Sequence, residues 1–163
     1  MTGEDMTADD EKHDAKDASA APIRIAIFDD SKGALERYET HFQAENVSVL
    51  TFCGSVLDDQ TKGALVAFNP QLIIMDLLIG DDLEDGYKLI YGVGRLEELR
   101  EARIVVCSKL INLSAPGKKQ EAFCLGLPGV VKAFGKIPDI PPPRVFLDIL
   151  GKPGKTTDRA DLS

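Results

Sequence analysis

Short apolar runs alternate with longer stretches of helical periodicity through most of the chain. Ile23–Phe28 (IRIAIF), Leu72–Asp76 (LIIMD) and Arg103–Ser108 (RIVVCS) are nearly continuous apolar segments bounded by polar residues. Runs this short and this apolar read as strands buried on both faces of a parallel sheet. Two weaker strands are expected at Val47–Phe52 and Val130–Phe134. Leu35, Tyr38 and Phe42 recur three and four apart, which gives a helix over Lys32–Glu45 its core face, with Ser31 as N-cap. Ser55 is expected to open a second helix that ends near Phe68, before Asn69-Pro70. A third is expected over Tyr87–Arg100, although Gly92 and Gly94 each weaken it by about 1 kcal/mol. A fourth covers Ala115–Leu125. A last one covers Arg144–Leu150, entered through Pro141-Pro142-Pro143 and stopped by Gly151. Strands alternating with helices predict an α/β domain whose right-handed crossovers place helices on both faces of the sheet.

The polar residues that end the strands are the candidate chemistry. The third strand stops abruptly on Asp76, and the first runs into Asp29-Asp30. Ligands of parallel sheets sit beyond the carboxyl ends of the strands, so these carboxylates point where chemistry would occur.

Charge and composition sharpen the domain boundaries. The 163-residue chain carries a net charge of −8. Residues 1–21 hold seven carboxylates (Glu4, Asp5, Asp9, Asp10, Glu11, Asp14, Asp17) against Lys12 and Lys16, with almost no large apolar residue. An acidic, disordered N-terminal tail is therefore expected there, then a domain over 22–151, then a flexible polar tail over 152–163. Without a basic stripe, direct nucleic-acid binding is not expected. No apolar stretch reaches transmembrane length, and the first 21 residues lack the apolar core of a signal peptide, so membrane insertion is not expected either. Cys53, Cys107 and Cys124 form no CxxC pair, and Cys53 and Cys107 fall in or beside apolar runs. That is the setting of reduced, buried thiols, and it predicts a cytoplasmic protein.

The order of the strand-end residues carries a resemblance. Asp29-Asp30 follows the first strand, Asp76 ends the third, Asp85-Gly86 lies in the next loop, Ser108 ends the fourth and Lys136 follows the fifth. Over residues 22–150 the chain resembles a two-component response-regulator receiver domain. The resemblance implies a flavodoxin-like, doubly wound, five-stranded parallel sheet of order 2-1-3-4-5, with its switch point between strands one and three. It implies that Asp76 accepts a phosphoryl group from a histidine kinase or histidine phosphotransfer protein. It implies that Asp29, Asp30, Asp76 and the backbone carbonyl of Leu78 hold Mg²⁺, and that Ser108 and Lys136 contact the phosphoryl oxygens. The chain would then change its affinity for a downstream protein target, and would be no enzyme beyond Mg-dependent self-phosphorylation and slow self-dephosphorylation. The chemistry suits these residue types. A carboxylate is a competent nucleophile, and close carboxylates repel one another by about 4 kcal/mol per pair at 4 Å in an effective dielectric near 20. Hard oxygen ligands, few in number, favour Mg²⁺.

The sequence also departs from the family's pattern. Asp85-Gly86 comes late after Asp76, in an acidic loop without the usual proline, and Ile137 separates Lys136 from Pro138. The aromatic switch residue that stands three before the lysine is Ala133 here, with Phe134 one place off. A pseudo-receiver, binding partners without phosphorylation, is thus the alternative reading. FDDSKG also prompts a phosphatase of the haloacid dehalogenase type, but that class uses D-x-D, which Asp29-Asp30-Ser31 does not supply. His41 falls off the core face of its helix and is expected to be solvated.

Overall fold

The computed structural model describes residues 20–54, 56–80, 82–111, 115–136 and 139–151. Its elements alternate: β1 (Ile23–Phe28), α1 (Lys32–Phe42), β2 (Val47–Phe52), α2 (Asp59–Phe68), β3 (Leu72–Met75), α3 (Leu83–Gly94), β4 (Arg103–Ser108), α4 (Ala115–Leu125), β5 (Val130–Gly135) and α5 (Pro143–Gly151), with one 3₁₀ turn at Glu97–Leu99. The strands form a parallel sheet in the order β2-β1-β3-β4-β5, as expected.

Strand alternation divides the core into two layers. Ala26, Phe28, Ile73, Met75 and Val106 face α2, α3 and α4, where Leu65, Leu89, Ile90, Val93 and Cys124 meet them. Ile25, Ile27, Leu72, Ile74, Val105 and Cys107 face α1 and α5, against Leu35, Tyr38, Phe42 and Phe146. Each of these large side chains, fully buried, contributes about 1.5–3 kcal/mol of transfer free energy. The middle strands are almost wholly apolar, β3 at every position, because both faces are covered.

Helix ends follow local chemistry, and several differ from expectation. Ser31 does cap α1, its hydroxyl accepting from the Ala34 amide. The helix stops at Phe42 rather than Glu45, because Gln43 to Asn46 are exposed and offer the core nothing. Gln43 and Glu45 donate instead to Thr40 and Phe42 in tight turns. Asp58, not Ser55, caps α2, accepting from the Thr61 amide at 2.7 Å. Those bonds to Thr61 hold the Asp58 carboxyl below its ordinary pKa. Ser55 itself lies outside the described residues. Asn69 closes α2 in the left-handed region (φ 49°), a conformation asparagine tolerates. Pro143 occupies the first position of α5.

The largest correction concerns α3. It starts at Leu83 rather than Tyr87 and ends at Gly94 rather than Arg100. Asp82 is its N-cap, and Glu84 and Asp85 fill its first turn, where carboxylates complement the helix dipole. Half of the apparent acidic loop is thus helix, and Asp85-Gly86 is helical rather than looped. Gly86 is required there. A Cβ on it would lie 2.8 Å from the carbonyl carbon of Leu77 and closer still to its oxygen.

Candidate functional site

The ladder hydrogen bonds bring the strand ends to one edge. Phe28 pairs with both Phe52 and Met75, Met75 with Val106, and Ser108 with Gly135. The ladder runs one residue further: the Asp29 amide donates to Phe52, the Asp76 amide to Phe28 and the Lys136 amide to Ser108. Asp29, Asp76, Ser108 and Lys136 consequently stand side by side, across the place where the strand order reverses.

All four are buried. Asp29 is 1 %, Asp76 9 %, Ser108 0 % and Lys136 6 % exposed, and among the described residues these are the buried polar ones. Lys136 Nζ donates to Asp29 Oδ2 at 2.5 Å and to Asp76 Oδ2 at 2.8 Å. The other carboxylate oxygens are held by backbone: Asp29 Oδ1 accepts from Ser31 N and Asp76 Oδ1 from Leu78 N. Burial works to lower the Lys136 pKa, but Asp76 and Asp29 outweigh it, and the ammonium titrates above its ordinary range. Asp30 is exposed, and its carboxylate completes a group with Asp29 and Asp76 whose ligand oxygens lie within 4.8 Å of one another. Three carboxylates and one ammonium leave a formal charge of −2. An all-oxygen donor set with that residual charge fits a hard divalent cation.

Ser108 ties the site to the sheet edge beyond it. Its carbonyl accepts from both Ile111 N and Lys136 N, and its hydroxyl accepts from Leu110 N at 3.4 Å. Beneath the site lies Tyr38, 1 % exposed, with Lys136 Nζ 5.9 Å from its ring centre. Burial pushes the phenol far above its ordinary pKa, with Cys107, Asp29 and Asp76 adding to the effect. The neighbouring Cys107 thiol is pushed up to about 11, also by burial.

The chain's fold has clear counterparts among solved structures. The chemotaxis response regulator CheY4 of Vibrio cholerae is 18% identical, with a TM-score of 0.58 over 80% of this chain and 97% of its own. A CheY-like receiver domain from Methanospirillum hungatei is 18% identical, with a TM-score of 0.57 over 80% and 91%. One from Methylobacillus flagellatus is 14% identical, with a TM-score of 0.57 over 79% and 98%. This chain has the receiver-domain fold. No protein-family model and no curated protein matches it.

Within the receiver fold, the expected residues divide into two groups. Asp29, Asp30, Asp76 and Lys136 converge by side chain. Leu78 and Ser108 are anchored beside them through the bonds just given. Two expectations outside this group are corrected. Cys53 is exposed, not buried, and its thiol donates to the Asp30 carbonyl at 3.5 Å. His41 is half buried rather than solvated, with Nδ1 lacking a partner among the described residues. Tyr38 stood out in the sequence only as a core residue of its helix. No signal along the chain connects it with Lys136, which lies on the far side of the domain in sequence.

Proposed function

We propose that this chain is the phosphoacceptor receiver of a two-component relay. The observation that carries the proposal is the Asp29–Asp30–Asp76 cluster with Lys136 bridging two of its members, at the switch point of a receiver fold. Asp76 attacks phosphorus in a phosphohistidine of a kinase or phosphotransfer protein. A new O–P bond forms, the N–P bond breaks, and the imidazole departs with the electron pair. We assign the acceptor role to Asp76 rather than Asp29 because it ends the strand at the centre of the sheet, with β1 and β4 on either side.

Asp29, Asp30, Asp76 and the Leu78 carbonyl would hold Mg²⁺, which when bound supplies positive charge against the phosphoryl oxygens. Lys136 offers a second positive charge, and the Ser108 hydroxyl a hydrogen-bond donor. The downstream event is a change in affinity for a protein target, in a cytoplasmic setting. Among the described residues no helix is long and apolar enough to cross a membrane.

One observation favours the pseudo-receiver reading instead. Ala133 packs in the layer of α2, α3 and α4, where it carries no ring, and Phe134 packs in the opposite layer against Phe146. Intact mass after incubation with acetyl phosphate and Mg²⁺ separates the two. Wild type should gain one phosphoryl group and Asp76→Asn none. A phosphoryl group retained in Asp76→Asn would overturn the assignment, and none in either protein would favour the pseudo-receiver.

A further inference from the structure

Tyr38 sits where a receiver reading does not need a tyrosine. Its hydroxyl is buried, and its one polar neighbour is the Cys107 thiol, too weak an acceptor and too poorly placed to make a full hydrogen bond. A buried hydroxyl satisfied so weakly is costly, so the core would be better served by an apolar side chain of the same size. What the ring does provide is an electron-rich face within reach of Lys136 Nζ, in a place closed to water. Cation–π attraction grows when both partners are desolvated.

The ring is also fixed. It meets Phe146 edge-on at 6.1 Å, and Phe146 is braced in turn by Phe42 at 6.0 Å and Phe134 at 5.8 Å. Asp29, Asp76 and the Tyr38 ring all hold the ammonium. On the receiver reading, metal and phosphoryl group would claim both carboxylates. The ring is the contact they leave alone.

We propose that Tyr38 is a positioning residue for Lys136: its ring keeps the ammonium at the phosphoryl site once Asp29 and Asp76 are engaged. This rests on the receiver reading. A lysine with free rotation about its side-chain bonds would otherwise spread over many positions as the carboxylates turn to other partners. The hydroxyl takes no part.

Two variants test this, with two readouts. Tyr38→Phe keeps the ring and removes the hydroxyl, and Tyr38→Leu removes the ring. The first readout is the NMR signal of the Lys136 Hε protons, which the ring current moves upfield, followed in protein without and with Mg²⁺ and beryllofluoride. The second is the rate of Asp76 phosphorylation by acetyl phosphate across a Mg²⁺ titration. Tyr38→Phe should retain the upfield signal in both states and the wild-type rate, and should be at least as stable as wild type. Tyr38→Leu should lose the upfield signal and phosphorylate roughly tenfold more slowly at saturating Mg²⁺. Its half-saturating Mg²⁺ concentration should not change, because the carboxylates remain. A Tyr38→Leu protein as fast as wild type would overturn the proposal, and so would a Tyr38→Phe protein as slow as Tyr38→Leu. Wild type that takes no phosphoryl group refutes the receiver reading itself, and the positioning role with it. The Hε signal in the metal-free protein reports the contact independently of that outcome.

Discussion

Replacing Gly86 by alanine tests how tightly α3 is seated against the strand that ends on Asp76. Gly86 is buried in the first turn of α3, and its added Cβ would lie 2.8 Å from the Leu77 carbonyl carbon and 3.2 Å from Leu77 Cα. Contacts under 3.0 Å are not found for real Cβ atoms, so one backbone must retreat. Leu77 is 0 % exposed and cannot yield freely. Overpacking of this kind costs about 1–3 kcal/mol, and backbone-on-backbone contact belongs at the upper end. Against it stands the helix-propensity gain of alanine over glycine, about 0.5–1 kcal/mol. The clash wins by roughly 1–2 kcal/mol, equivalent to a fall in melting temperature of about 5 °C for a domain of this size. Gly63→Ala is the control: it lies in α2 with nothing within 4 Å of its Cβ, so only the propensity term acts and the protein should become more stable. Urea unfolding followed by circular dichroism measures both. The site should respond as well. Leu77 joins Asp76 to Leu78, so a displaced Leu77 disturbs both, and Gly86→Ala should bind Mg²⁺ more weakly than wild type. Equal stability and equal Mg²⁺ affinity in Gly86→Ala, with the expected gain in Gly63→Ala, would refute the account.

Asp30→Ala should weaken Mg²⁺ binding and abolish phosphorylation while the fold persists, because Asp30 is exposed and its loss relieves repulsion as it removes a ligand; unchanged magnesium dependence would sink its role. With Cys107 and Cys124 both buried and their thiols pushed up to about 11, a thiol-selective disulfide reagent at pH 8 should label Cys53 alone in native protein and all three cysteines after denaturation. Fast labelling of Cys107 would mean that the α1–α5 layer opens readily. Phosphoryl mimicry by beryllofluoride and Mg²⁺ should shift the amides of Lys109–Ile111 strongly and leave Phe134 quiet, since Ser108 holds Ile111 and Lys136 while Phe134 faces α5. The reverse pattern would reject this route.

Much of the fold was legible because each layer repeats a simple pattern. The three inner runs are nearly continuous in apolar residues, as strands covered on both sides must be, and their pairing order follows once helices lie on both faces. The carboxylates were legible for a related reason. Asp76 and Asp29 interrupt apolar runs, and such interruptions at the carboxyl ends of parallel strands meet at one edge. Boundaries were harder where two signals competed. The acidic stretch after Asp76 reads as loop and puts the third helix over Tyr87–Arg100, weakened by Gly92 and Gly94, whereas Asp82 at the cap and carboxylates in the first turn settle α3 earlier. Periodicity cannot weigh a cap against an apolar face, because the cap acts through one hydrogen bond that no pattern records.

The fifth strand shows what a one-dimensional reading leaves out. Alternation alone would put residues two apart on the same face. Yet Val131 packs with α1 and α5, and Ala133 with α2, α3 and α4. The reason is a bulge. Ile104 pairs with Val130 and Val105 with Lys132, so Val131 has no place of its own in the ladder. The extra residue resets the phase of everything after it. Its consequence reaches the site, because the reset phase puts Gly135 opposite Ser108 and lets the Lys136 amide bond to the Ser108 carbonyl. Gly135 is suited to that place, since a Cβ there would run into the Ile111 carbonyl. Ile111 is 4 % exposed and packs in the same layer as Ala133. A small residue at 133, a glycine at 135 and an isoleucine arriving from the loop after β4 are therefore one packing solution. Reading Ala133 as a ring simply missing overlooks the side chain that shares its layer.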